Sequence, residues 1–197
     1  MHSTKRFLLK KGLGLTCVTN TQCKTSCLSA MFQLPLDSEG RSLSALLPYV
    51  LRVSCRDFPG QQAVAAQLDE LYGARVEPII RKRGEAQLIG FAADVIDEHF
   101  AMRGDTGLFA NTAQMMARIL LHPGAFTAEN VAREAAQLCA RIAALPDDKR
   151  TWAVRRMYQH LCDEEAFRLV ELGDIEEIRR AAPEQLMAHY QNILQTA

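Results

Sequence analysis

The stretch RVEPIIRKRGEAQLIGFAA, residues 75–93, contains a β-hairpin signal from which the class of fold can be worked out. We predict strands at Arg75–Ile80 and Ala86–Ala93, joined by the polar turn Arg81-Lys82-Arg83-Gly84. The glycine can adopt the positive φ that a tight hairpin turn requires. We expect the basic triplet to form a solvated hairpin tip rather than a binding patch.

Two further strands are predicted upstream, at Gly14–Asn20 and Ser26–Leu34, joined as a hairpin by the polar residues Thr21–Thr25. A helix then begins with Ser42 as its N-cap, and its apolar residues recur at helical spacing. These are Leu43, Leu46, Leu47, Val50 and Leu51. A second helix follows Pro59-Gly60, with Val64, Leu68 and Leu71 on one side, and ends with Gly73 at the C′ position.

The chain after Asn111 is predicted to be helical. Met115, Met116, Ile119 and Leu120 form one apolar stripe that ends before His122-Pro123-Gly124. Later helices are predicted from Thr127 to about Leu145, from about Lys149 to Leu172, and from Pro183 onward. Strand pairs and helix pairs in this order indicate an α+β fold, an antiparallel sheet covered on one face by helices.

Composition excludes several classes of partner. The 23 basic and 23 acidic residues cancel, so no net field recruits nucleic acid or an anionic membrane. No apolar run approaches the length of a transmembrane helix, and the short run Phe7–Leu9 lacks the features of a signal peptide. We therefore expect a cytoplasmic protein of one domain.

The cysteines and histidines offer only weak candidates for chemistry. Without a secretory signal, the six cysteines are expected to be buried structural thiols, although Cys23-x3-Cys27 has the form of a metal knuckle. Cys55, between Arg52 and Arg56, is a candidate activated thiol. His160 and Glu164 at helical spacing offer half of a metal site, or else a surface pair. The acidic cluster at residues 94–99 (Asp94, Asp97, Glu98, His99) is interpreted as a solvated turn.

Four segments together resemble the N-terminal domain of pitrilysin/insulinase-type metallopeptidases. They are LLPYVL at residues 46–51, LxxLYGA at 68–74, RKRG at 81–84, and DDK at 147–149 followed by Arg155-Arg156-Met157. The resemblance is to the catalytically degenerate member of paired bacterial proteins named for elongation factor P modification. It covers residues 1–197 and implies an incomplete N-terminal domain of a longer, two-domain protein.

The resemblance also implies that the catalytic residues of the family are missing. Active members have H-x-x-E-H on the first helix, two zinc ligands with a general base between them, and a third ligand, a glutamate, on a later helix. The first-helix positions correspond to Pro48, Leu51 and Arg52. If Glu134 matches the glutamate upstream of the third ligand, that ligand position is Arg141. We therefore expect no metal and no cofactor at this site.

The leading functional hypothesis is an inactive, peptidase-like binding or scaffold subunit. It would pair with a homologous zinc peptidase that has the intact motif, and would contribute to binding a peptide or an unfolded protein segment. One alternative is an active peptidase or hydrolase with a relocated metal or with Cys55 as nucleophile. Another is a stand-alone peptide-binding module that needs no partner.

Overall fold

A computed structural model describes residues 2–20 and 22–196. The strands are β1 (His2–Lys10), β2 (Leu13–Asn20), β3 (Thr25–Pro35), β4 (Arg75–Arg83) and β5 (Ala86–Ile96). The helices are α1 (Arg41–Val53), α2 (Gln61–Glu70), α3 (Leu108–Leu121), α4 (Ala128–Ala143), α5 (Lys149–Leu161), α6 (Ile175–Arg179) and α7 (Pro183–Thr196).

The main sheet is antiparallel with strand order β3-β5-β4. Alternate residues of β3 are partly buried against the core, whereas those between them are exposed, so helices cover one face of the sheet. Helix α1 is the central element because it contacts β4, β5, α3, α4, α6 and α7. The predicted α+β class is confirmed.

The predicted hairpin of β4 and β5 is present, with a tighter turn than predicted. Arg83 pairs with Ala86, so Gly84 and Glu85 alone make the turn, and Gly84 has φ of 57°. Lys82 does not lie in a solvated tip. Its ammonium group donates to the carbonyls of Phe167 and Leu169 and lies 4.2 Å from the centre of the Phe167 ring.

The predicted pairing of the first two strands is wrong. β2 pairs with β1, a strand that the sequence interpretation missed, and these two strands form a sheet of their own. β3 pairs instead with β5, so that Thr25 lies opposite Ile96. A local turn signal at Thr21–Thr25 could not reveal a partner strand so distant in sequence, because β3 gains a buried face only beside β5.

The predicted helix caps are partly wrong. Gly40, not Ser42, is the N-cap of α1, and the buried Ser42 hydroxyl accepts a hydrogen bond from the Asp174 backbone N–H at 2.9 Å. It also donates to the Glu177 carboxylate, which fastens α1 to α6. At the end of α2 the C-cap is Leu71, which places Tyr72, rather than Gly73, at C′.

The long helix predicted from Lys149 to Leu172 ends early. α5 stops at Leu161, and residues after it form short turns that include a 3-10 turn at Ala166–Arg168. The helices predicted to begin near Thr127 and at Pro183 are present, and the Thr127 side chain caps α4 by accepting from the Asn130 N–H. Among the described residues, no helix is long and apolar enough to cross a bilayer.

Candidate functional site

Two of the positions that the resemblance matches to the family motif are buried inside the protein. Pro48 and Leu51 are both buried within α1, and Leu51 is only 2% exposed. Pro48 does not end the helix, which continues to Val53 although proline removes one backbone hydrogen bond. Neither side chain presents a metal ligand or a proton acceptor to solvent.

Arg52 lies in the last turn of α1 and is committed to an ion pair. Its Nη1 is 2.6 Å from Oε2 of Glu77 on β4, and the two side chains are 27% and 59% exposed. The positive charge at this position is therefore neutralised by a carboxylate of the edge strand. The sequence interpretation missed Glu77, because a carboxylate on a strand gives no local signal of an arginine 25 residues away.

Arg141 approaches the same helix from α4. Its Nη1 donates to the Tyr49 hydroxyl at 3.0 Å, and its guanidinium carbon lies 5.0 Å from the centre of the Tyr49 ring. Stacking on an aromatic face is favourable for a guanidinium group. The structure thus brings Arg141 against the residue next to Pro48.

Glu134, two turns earlier on α4, is a buried carboxylate near the end of α1. It is 4% exposed, and its Oε1 lies 3.2 Å from Nε of Arg133. Together with Arg52 it lines a pocket of about 330 Å³ between α1, α2, β4 and α4. The remaining lining combines apolar side chains with three charged ones, Asp69, Arg75 and Glu77.

These residues do not fit a zinc ion. Tetrahedral zinc takes imidazole, thiolate or carboxylate ligands, whereas Pro48, Leu51, Arg52 and Arg141 supply none. The guanidinium group of Arg141 would also repel a dication, whereas that of Arg52 is already paired with Glu77. Within residues 2–20 and 22–196, no group of three or more histidine, cysteine or acidic residues could hold a metal ion.

The structure does not favour Cys55 as a nucleophile or His160 and Glu164 as metal ligands. Cys55 is only 1% exposed and bridges by backbone to Phe58 and Pro123, so its thiol is not accessible to a substrate. His160 and Glu164 do not share a helix, since α5 ends at Leu161 and the His160 ring contacts Arg156 at 3.2 Å.

The acidic cluster is a capped turn, as interpreted from the sequence. Asp97 accepts from the backbone N–H of His99 and lies 2.7 Å from Nδ1 of that ring, and these hydrogen bonds lower the pKa of Asp97. Asp94 lies instead on β5, opposite Cys27, and a hydrogen bond with its carboxylate raises the pKa of the Cys27 thiol.

The expectation of buried thiols is only partly correct. Cys55 and Cys139 are buried, whereas Cys17, Cys23 and Cys27 are exposed. Cys17 lies on β2, whose residues are all exposed, Cys27 lies on the uncovered face of β3, and Cys23 lies between these two strands. The sequence pattern did not reveal this exposure.

Comparison with known proteins shows what this chain is similar to. The chain is 30% identical over 188 residues to the probable inactive metalloprotease YmfF of Bacillus subtilis, a match that covers 93% of the chain and 44% of the relative. No protein-family model matches.

Solved structures give the same result for the fold. A conserved protein from Enterococcus faecalis V583 superposes with a TM-score of 0.85 at 23% identity, over 97% of this chain and 46% of that one. A peptidase M16 inactive domain from Pseudomonas fluorescens superposes with a TM-score of 0.70 at 14% identity, over 95% and 43% of the two chains.

The fold is therefore that of an M16-type peptidase domain. The resemblance to non-catalytic relatives of the pitrilysin/insulinase type is confirmed. The chain spans less than half the length of the relatives that it matches.

Proposed function

We propose that this chain is a non-catalytic, peptidase-like subunit that binds a peptide segment and pairs with a homologous zinc peptidase. The observation that carries the proposal is the Arg52–Glu77 ion pair. It lies where the resemblance implies a metal ligand, and the same two residues line a pocket of about 330 Å³ that stays open beside them. The residues that the resemblance matches to the catalytic positions supply neither a metal ligand nor a proton acceptor, while the pocket has the dimensions of a binding site.

The edge strand beside the pocket provides a second element of the proposal. In the described part of the chain β4 pairs only with β5, so its other edge offers backbone groups to an extended peptide. Pro78 lacks an N–H group, and proline within sheets is confined to such edges. Peptide pairing would then rest on residues 75–77, which line the pocket.

The charges of the pocket suggest how a peptide would be oriented there. Arg52 and Arg75 lie with Asp69, Glu77 and Glu134 around apolar side chains that include Val64 and Leu68. A peptide with one apolar side chain between polar neighbours fits this mixture better than a uniformly charged one.

Co-expression with a homologue that has an intact H-x-x-E-H motif tests the pairing. We expect a stable complex that contains about one zinc ion, held entirely by the partner. Replacing the first motif histidine of the partner with alanine should remove the zinc and leave the complex intact. An unrelated protein with the same affinity tag serves as the control. Absence of a complex refutes the pairing.

Peptide binding is tested separately on this chain alone. A fluorescent peptide library should yield binders whose affinity falls about tenfold in an Ala65→Trp variant, because Ala65 is exposed and lines the pocket. An Ala66→Trp variant is the matched control, since Ala66 is an exposed neighbour on α2 that does not line the pocket. Equal affinity in the two variants refutes binding in the groove.

A further inference from the structure

Helix α5 has a row of apolar side chains on its exposed side. Its apolar side chains at positions i, i+3, i+4 and i+7 face solvent rather than the protein. These are Val154 at 45% exposure, Met157 at 50%, Tyr158 at 39% and Leu161 at 72%. No residue of α5 is buried. We name this surface, formed by Val154, Met157, Tyr158 and Leu161, the α5 stripe.

The orientation of α5 is fixed by polar and aromatic contacts on its other side. Nη2 of Arg155 lies 3.0 Å from Oε1 of Glu171, and both side chains are less than one-fifth exposed. Tyr158, at the edge of the stripe, keeps 39% of its surface exposed while its ring packs edge-on against Phe167 with centroids 5.4 Å apart, and Lys82 lies over the same Phe167 ring. Because the anchoring side carries an ion pair, rotation that would bury the stripe would leave charges unpaired.

The charged residues of α5 itself are all basic. α5 contains Lys149, Arg150, Arg155 and Arg156 and no acidic residue. Acidic residues lie instead in the turns at its two ends, at residues 147–148 and 163–165. The middle of the surface is therefore apolar with cationic borders.

From this surface we infer that α5 docks an amphipathic helix of a partner protein, one whose apolar stripe is bordered by acidic residues. Such a helix would bury the α5 stripe and place carboxylates against Arg150 and Arg156. A second copy of this chain fits less well, because a twofold pairing centred on α5 would place Arg156 near its own copy. An anionic membrane also fits less well, because a flat bilayer surface would meet the acidic turns at both ends of α5, whereas a helix that crosses the middle of the stripe would not.

This surface is separate from the groove of the proposed function. Lys82, which packs beside α5 through Phe167, is five residues along β4 from Glu77 in the groove. At the rise of a β-strand this corresponds to about 17 Å. The inference therefore does not depend on peptide binding in the groove.

The inference is tested by fluorescence anisotropy of two synthetic helical peptides with the full chain. Both peptides carry the same leucine stripe, which is bordered by glutamate in one and by lysine in the other. We expect the acidic peptide to bind at least about tenfold more tightly.

A Met157→Ser, Leu161→Ser double variant should lose this binding, and an Arg150→Glu, Arg156→Glu variant should prefer the lysine peptide. A Leu121→Ser variant is the matched control, because Leu121 is an exposed apolar residue at the end of α3.

Circular dichroism establishes that each variant keeps its helices, which is expected because the substituted side chains are exposed. Equal binding of the two peptides overturns the inference. Two other results, obtained without peptide binding, would also overturn it. One is dimerisation in light scattering and the other is binding to phosphatidylglycerol vesicles, in each case abolished by the Met157→Ser, Leu161→Ser substitutions.

Discussion

Arg52 and Arg141 are the residues that the resemblance matches to metal-ligand positions of the related peptidases, and this match can be tested by restoring the ligands. A Pro48→His, Arg52→His, Arg141→Glu variant should bind zinc, because two imidazoles one helical turn apart and a carboxylate form a three-ligand site. We expect about one zinc ion per chain by elemental analysis, against none in the unaltered protein.

The control for this graft replaces Arg141 with glutamine instead of glutamate. Glutamine removes the same positive charge but is a poor zinc ligand, so zinc content should fall well below that of the glutamate variant. Equal zinc in both variants would show that Arg141 does not correspond to the third ligand, and would leave the buried Glu134 as the residue to test.

Leu51 and Glu77 should contribute very differently to stability. Leu51 is 2% exposed, so Leu51→Ala should lower the free energy of unfolding by about 2–5 kcal/mol through lost packing and a cavity. Glu77→Gln breaks the ion pair with Arg52, yet the Glu77 side chain is 59% exposed and the loss should stay below about 1 kcal/mol. Urea denaturation measures both. A larger effect of Glu77→Gln would mean that the ion pair is a structural element rather than a surface contact.

At the level of single elements, the β4–β5 hairpin contains two glycines with opposite tolerance for a side chain. A Cβ at Gly90 would lie 2.0 Å from the Ala30 carbonyl oxygen, whereas a Cβ at Gly84 would meet nothing within 4 Å. Gly90→Ala should therefore cost several kcal/mol, by separating β3 from β5, and Gly84→Ala about 1 kcal/mol, for a positive φ alone. Denaturant unfolding compares the two, and similar costs would contradict the close approach of β3 to Gly90.

Helix α7 is joined to α1 by a histidine whose protonation opposes folding. His189 Nε2 and Ser44 Oγ are 2.8 Å apart, and burial lowers the pKa of His189 from its ordinary 6.5, with Asp37 opposing the shift. Because the folded state binds this proton more weakly than the unfolded state, stability should fall as pH drops below 6.5. The loss should level off once pH is below the folded-state pKa.

Urea midpoints at about pH 8 and about pH 5 measure this effect. His189→Gln, which keeps a hydrogen-bonding side chain but does not titrate, should show a smaller difference between the two midpoints. His122→Gln is the control, because His122 is exposed at the end of α3. An unchanged difference in His189→Gln would assign the pH dependence to other groups.

Elements defined by local signals could be predicted from the sequence, and those defined by distant contacts could not. The β4–β5 hairpin and the starts of α4 and α7 depend on a turn glycine, an N-cap threonine and a proline, each read within a few residues. The partner of β3 is a strand far along the chain, and the segment after α5 is held by Lys82 through the carbonyls of Phe167 and Leu169. For the site, the positions Pro48, Leu51, Arg52 and Arg141 came from resemblance, whereas the Arg52–Glu77 pair and the pocket required the structure.

At the scale of the whole molecule, the two sheets differ in how they are supported. The core lies between the β3-β5-β4 sheet and the helices, whereas every β2 residue is exposed and β1 pairs only with β2 among the described residues. Exposed apolar side chains on this pair include Phe7, Leu8, Leu9 and Val18. An isolated two-stranded hairpin is marginally stable in water.

Amide hydrogen exchange on the full chain should therefore separate the two sheets. Amides of β1 and β2 should exchange through local opening, at rates that stay the same in a core variant such as Leu51→Ala. Amides of β5 lie between two strands over the core, so they should exchange only on global unfolding and become faster in that variant. Mass spectrometry of peptides from residues 2–20 and 86–96 gives the comparison. If the β1–β2 hairpin were protected as strongly as β5 and lost that protection in Leu51→Ala, it would belong to the same cooperative unit as the core.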